Sequence, residues 1–246
     1  MKLTGQTVLI TGGASGIGLA LAKRFAARGN AVIVCGRDQA KLDAARAAVP
    51  GLRTIRADVA TATGRTGLVA SVLRDYPALS VLVNNAGIQN QPAPMAEPQD
   101  WATHAKEMAI NFEAPVHLSM LLLPHLLAKT DAAIINVTSG LAFVPMARMP
   151  IYCATKAAMH SFTQSLRFQT RDTSVTVAEL VPPAVNTDLG GKGLHDFGEP
   201  LDAYADSAFE GLAAGKLEIG YKMSEGLRTA DRAMQETMFT RMNLTK

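Results

Sequence analysis

Cysteine is scarce in this chain of 246 residues. Cys35 and Cys153 fall in different predicted elements, with no second ligand at metal spacing, which excludes a disulfide framework and a thiolate metal site. Aromatic residues are 5% of the chain and charged residues 18%, and the net charge of +3 is scattered, so the basic, aromatic-laced footprint of a nucleic-acid-binding surface is missing. No low-complexity segment, internal repeat or linker interrupts the sequence. The longest apolar stretch, Met120 to Leu127, is broken by Pro124 and His125 and falls well short of the roughly 20 residues that cross a bilayer. Residues 1–5 lack the apolar run of a secretory signal, so a cytoplasmic setting is the expectation.

What is present is apolar residue, 48% of the chain, enough for one large core. Short β-branched runs alternate with helical patterns, which predicts an α/β fold: a doubly wound parallel sheet of about seven strands with helices on both faces, in a single domain over 1–246. The runs are 7–11, 31–35, 52–56, 81–84, 132–137, 175–180 and a short one near 217–219. One long helix is expected from about Asp100 to Leu127. A glycine-rich segment from Leu189 reads as a substrate lid extending to 213, and a C-terminal tail occupies 222–246.

The first run turns through Gly12-Gly13-Ala14-Ser15-Gly16-Ile17-Gly18 directly into a helix. Strand, glycine turn and helix in that order bring backbone N–H groups and a helix N-terminus to a phosphate, with Gly12, Gly16 and Gly18 at the key positions and Ser15 and Ile17 between them. The second run ends in Gly36-Arg37, where an acidic residue would hold the ribose 2′-hydroxyl of NAD. Arg37 instead offers a guanidinium fork for a 2′-phosphate, which favours NADP(H). Asp38 reads as the cap of the next helix. Asp58, beside Val59 at the end of the third run, either accepts from an adenine amino group or caps a helix.

Asn84-Asn85-Ala86-Gly87 ends the fourth run, where two amides and a glycine fix loop backbone and let a flat ring pass. Pro115 lacks an N–H, so the carbonyl of Asn111 loses its helical donor and the helix should bend there, leaving that carbonyl able to hold a water. Ser139 lies at the carboxyl end of the fifth run, where ligands sit in such sheets. Tyr152 and Lys156 share a helix face one turn apart, roughly 6 Å along the axis, and a fixed ammonium is expected to draw the phenol toward a working pKa. Leu141, Phe143, Val144, Met146, Ala184 and Leu189 are expected to line an apolar pocket without an arginine, suited to a hydrophobic ketone or secondary alcohol. The five histidines show no ligand spacing, no metal site is expected, and Cys153 reads as a small buried residue.

Together these motifs, in their order and spacing to about residue 220, resemble the short-chain dehydrogenase/reductase family. The resemblance implies that Tyr152 is the general acid-base, that Lys156 lowers its pKa and binds the nicotinamide ribose, that Ser139 polarises the substrate oxygen, and that Asn111 maintains a water of the proton relay. It also implies that Asn85, Ala86 and Gly87 flank the adenine side of the cofactor, that Pro182, Val185 and Thr187 close over the nicotinamide amide, and that the chain forms a homotetramer or homodimer. Pro182-Pro183 departs from the family's usual Pro-Gly and stiffens that loop. The activity implied is NADP(H)-dependent interconversion of a carbonyl and a secondary alcohol on a small-molecule substrate. A non-catalytic NADP-sensing regulator and a halohydrin-dehalogenase-like lyase are the alternatives.

Overall fold

The computed structural model describes residues 1–90 and 95–244. In chain order these residues form β1 (Thr7–Thr11), α1 (Gly16–Ala27), β2 (Ala31–Gly36), α2 (Gln39–Ala48), β3 (Arg53–Arg56), α3 (Ala62–Asp75), β4 (Leu79–Asn84) and α4 (Trp101–Met108). A π-helical turn, Ala109–Glu113, leads into α5 (Ala114–Leu127), then β5 (Ala132–Val137), a 3-10 turn (Gly140–Ala142), α6 (Pro150–Gln169) and β6 (Val175–Val181). The chain closes with α7 (Leu201–Ala213), β7 (Glu218–Gly220), α8 (Met223–Thr229) and α9 (Arg232–Leu244).

The strands pair in parallel in the order β3-β2-β1-β4-β5-β6-β7. That order reverses between β1 and β4, so the carboxyl ends of those two strands open a crevice, the place where ligands bind in doubly wound sheets. Every residue of β1, β4 and β5 is buried, as continuous rather than alternating apolar runs require when helices cover both faces. Val8, Ile10, Phe25, Tyr204 and Phe209 belong to the core on one face, and Leu9, Leu82, Leu118, Leu122 and Leu166 to that on the other. Phe25 meets Phe209 edge to face with ring centroids 4.8 Å apart, fastening α1 to α7.

Three expectations change. The single helix over 100–127 is two helices joined by the π turn, and Pro115 stands at the start of α5, where its missing N–H falls on the change of register. The lid cannot extend to 213, because α7 carries the fully buried Tyr204 and Phe209 and belongs to the core. Only 189–200 remains as irregular chain over the groove, tied at its base by the Val185–Glu199 bridge. The tail is helical as far as Leu244, and its last two residues lie outside the described residues.

Candidate active site

A groove of about 1330 Å³ runs along the carboxyl ends of the strands. At its centre the glycine turn is locked to the end of β4. Thr11 Oγ1 accepts from the amides of Asn85 and Ala86, each at 3.0 Å, and Asn85 Nδ2 donates to the carbonyls of Thr11 and Gly12 at 2.9 and 3.2 Å. Gly12 has φ +62°, and a Cβ there would lie 2.9 Å from the Ala86 Cα. A Cβ on Gly18 would collide with Asn85 Nδ2 and stand 2.6 Å from the Gly12 carbonyl, so only glycine lets α1 seat this close to the strands. Ser15 is the N-cap of α1 and its side chain makes no cap hydrogen bond. Exposed glycine backbone, a free hydroxyl and a helix N-terminus at one point fit a dinucleotide's phosphates.

The groove wall carries Gly12, Ser15, Gly16, Ile17, Arg37, Asp58, Val59, Asn85, Ala86, Gly87, Pro182, Val185 and Thr187. Gly18 stays behind it as packing. Lys41 lines the groove next to Arg37, an addition that sequence spacing did not flag. Asp38 caps α2, accepting from the Lys41 N–H at 3.2 Å. Asp58 Oδ1 accepts from the Ala60 N–H at 3.0 Å, while Thr61 is the cap of α3, so the second reading of Asp58 does not hold.

Asn111, on the π turn, is buried behind the groove wall. Its Oδ1 accepts from the Ile88 N–H and its Nδ2 donates to the Ile88 carbonyl, both at 2.8 Å, with a longer bond to Thr155 Oγ1 at 3.3 Å. Ser139 lies two residues beyond β5 and its Oγ accepts from the Leu141 N–H at 3.1 Å, capping the 3-10 turn. Tyr152 lines the groove together with Ser139. Lys156 Nζ donates to the Val137 carbonyl at 3.0 Å and stands 5.6 Å from the centroid of the Tyr152 ring. The structure therefore brings Ser139, Tyr152 and Lys156 to one end of the groove, with Asn111 buried behind its wall.

The electrostatics differ from the expected acidified phenol. Tyr152 is 7% exposed and Lys156 5%. Burial pushes the phenol above its ordinary value, the Ser139 side chain opposes this, and the nearby Cys153 and Glu107 add to the rise. Burial likewise pulls the Lys156 ammonium down to about 8, against the pull of Glu107 and Glu179. Desolvation outweighs Coulomb relief in the protein alone, so the phenol is held protonated near neutrality.

Beside these residues, Leu141, Met146, Ala184 and Leu189 line the groove with Ser139. Phe143 does not. The 3-10 turn carries it to His160, ring centroids 4.5 Å apart, and Val144 is fully buried. Arg148 and Lys106 also line the groove, so the wall is not free of cations as expected. Cys153 Sγ accepts from the Met146 N–H at 3.3 Å and its thiol is held up by burial, which makes it a packing residue.

Two buried carboxylates went unnoticed in the sequence. Glu179, 0% exposed, accepts from Thr138 Oγ1 at 2.6 Å and pairs with His160 Nδ1 at 2.9 Å. Glu218 lies within 4.8 Å of that pair but is neutralised by Arg167 and Arg228 at 2.7 and 3.1 Å, which leaves little for a metal ion. Glu107, 2% exposed, accepts from the backbone and side-chain nitrogens of Asn90 at 3.1 and 3.0 Å.

Comparisons with known proteins agree with this geometry. A family model described as short chain dehydrogenase matches residues 6–196. An uncharacterised oxidoreductase of Bacillus subtilis, DltE, is 48% identical over 248 residues, covering 99% of this chain and 98% of its own. A short-chain dehydrogenase from Sphingobium yanoikuyae, solved in complex with NADPH, superposes with a TM-score of 0.82 at 26% identity, covering 98% of both chains. A 3-ketoacyl-(acyl-carrier-protein) reductase from Brucella melitensis, complexed with NADH, gives 0.81 at 25% identity over 89% of this chain and 98% of its own. With the glycine-locked crevice and Ser139, Tyr152 and Lys156 on its wall, these matches make the chain a member of the short chain dehydrogenase family of oxidoreductases.

Proposed function

We propose that this protein is an NADP(H)-dependent oxidoreductase that interconverts a carbonyl and a secondary alcohol, with Tyr152 as the proton donor and acceptor. The observation that carries this reading is the convergence of Ser139, Tyr152 and Lys156 on the wall of the same groove that the glycine turn lines. The groove residues fit a nicotinamide dinucleotide: the glycine turn and Ser15 for the phosphates, Arg37 and Lys41 for a 2′-phosphate, Asp58 and Val59 for the adenine, and Asn85 to Gly87 along its edge. Lys156 would meet the nicotinamide ribose, and Pro182, Val185 and Thr187 its amide. When bound, that cofactor supplies the two-electron chemistry.

The chain's own part is proton transfer and orientation. A phenol kept protonated by burial is the form that gives its proton to a carbonyl oxygen, and Ser139 donates to the same oxygen. Asn111 fixes the loop at Ile88 and, with its backbone carbonyl, would hold the water through which Lys156 exchanges protons. The apolar lining of Leu141, Met146, Ala184 and Leu189 suits a hydrophobic substrate. The irregular segment 189–200 acts as its lid.

Met120 on α5 and Phe168 on α6 are exposed, which favours association of copies through these helices as a homodimer or homotetramer. Among the described residues no helix is long and apolar enough to cross a membrane, and both cysteines are free and buried, which favours a cytoplasmic enzyme. NADPH and NADH oxidation measured side by side over a panel of ketones tests the reading. Turnover with NADPH preferred supports it; dinucleotide binding with no turnover of any carbonyl would point to a sensor.

A further inference from the structure

Lys156 and Glu107 are both buried, and neither sits in ion-pair contact with an opposite charge among the described residues. Lys156 donates to a backbone carbonyl, and among the described residues the Glu107 carboxylate accepts from Asn90. The other buried carboxylate near the site, Glu179, already has His160 against it. Glu179 thus has His160 in contact, whereas the Glu107 carboxyl is held up by burial and is acted on from a distance by His104 on its own helix and by Lys156. A buried carboxylate without a cation is costly, and a fixed opposite charge nearby is what offsets that cost.

Placement brings Glu107 to the catalytic end of the groove. Glu107 ends the same helical stretch as Asn111, four residues earlier, and the two side chains grip the loop after β4 at alternate residues, Asn90 and Ile88. A Cβ on Gly87 would stand 3.5 Å from Asn111 Oδ1 and 3.7 Å from Lys156 Nζ, so the clamp and the ammonium meet at one glycine. Glu107 and Tyr152 share the wall of a small cavity of about 20 Å³, the size of one water.

We propose that Glu107 is a positioning residue that sets the charge state of the catalytic pair: its carboxylate sustains the Lys156 ammonium and opposes formation of the Tyr152 phenolate. The inference rests on the oxidoreductase reading for its consequence in turnover, but its electrostatic part stands on its own. The directions agree, since Glu107 raises both groups against or with the effect of burial. Other ionisable groups around Glu107 are His104 on its own helix, Arg148 at the groove mouth and Cys153 beside Tyr152.

The direct test is a pH titration of Lys156 in the apoprotein by NMR of 13Cε-labelled lysine, assigned with a Lys156→Arg variant, together with the pH profile of kcat/KM. Glu107→Gln keeps an acceptor for Asn90 and removes the charge. It is expected to lower the Lys156 midpoint and the Tyr152-controlled limb by at least about half a pH unit, and Asn90→Ala, which loosens the clamp and keeps the charge, is expected to leave both in place. If Glu107→Gln does not fold, Glu107→Asp withdraws the carboxylate and should give a smaller shift of the same sign. An unmoved Lys156 midpoint overturns the proposal. A shifted midpoint in a protein that turns over no carbonyl upholds it and sinks the oxidoreductase reading instead.

Discussion

Asn111 holds the Ile88 peptide at both ends, accepting from its N–H and donating to its carbonyl at 2.8 Å each. A side-chain amide is the one group of that size with a donor and an acceptor placed to do so. Asn111→Ala should cost about 2–3 kcal/mol of stability, from two lost hydrogen bonds and the partners left behind. Urea unfolding of the variant beside wild type measures it; a change within about 0.5 kcal/mol, the usual range for surface substitutions, would show that the clamp is incidental.

Arg37 and Lys41 both line the groove past the end of β2, and Asp38 between them in sequence is engaged as the cap of α2. Arg37→Ala should weaken NADPH binding by about 10- to 100-fold, the worth of a charge-assisted fork on phosphate, and leave NADH nearly unchanged. Fluorescence titration with both nucleotides reads the difference, and equal losses would remove the basis for NADP preference.

Gly18 seats α1 against Asn85 and the Gly12 carbonyl with no space for a Cβ. Gly18→Ala should destabilise by about 1–3 kcal/mol through overpacking and abolish measurable dinucleotide binding, because the glycine turn must shift. Calorimetric melting with and without NADPH checks both parts.

His160 and Glu179 form a buried pair whose imidazole pKa is raised from 6.5, chiefly by the carboxylate. A raised folded value means that the pair's stabilisation is complete below pH about 6.5 and is lost as the pH climbs through the folded value. His160→Gln should cost about 3 kcal/mol at pH 6, since it strands a buried carboxylate, and the difference from wild type should narrow toward pH 9. Chemical unfolding at pH 6, 7.5 and 9 follows it.

How much of this was legible in the sequence differs from element to element. The strands of the sheet announce themselves as short β-branched runs, and the glycine turn, Asn84 to Gly87, Ser139 and the Tyr152–Lys156 pair carry their positions in local spacing. The π turn does not: Pro115 signals a disturbance, but whether the helix bends or changes register depends on packing against α6. Phe143 faces His160 rather than the groove because three residues of 3-10 helix rotate it there, a local choice no hydrophobic pattern encodes. Glu107 and Glu179 looked like ordinary charges, since their partners Asn90 and His160 lie 17 and 19 residues away. Spacing shows the ammonium beside Tyr152 and not the depth of burial, which pushes the phenol up in the protein alone.

The central claim is that the Tyr152 hydroxyl passes the proton in a nicotinamide-dependent carbonyl reduction. The most direct measurement is single-turnover NADPH oxidation by Tyr152→Phe with the best ketone from the panel, alongside NADPH affinity. Loss of turnover by at least 1000-fold, on the order of the upper range for a general acid, with affinity within a few-fold of wild type, is the expected result. Retained turnover with intact binding would contradict the account.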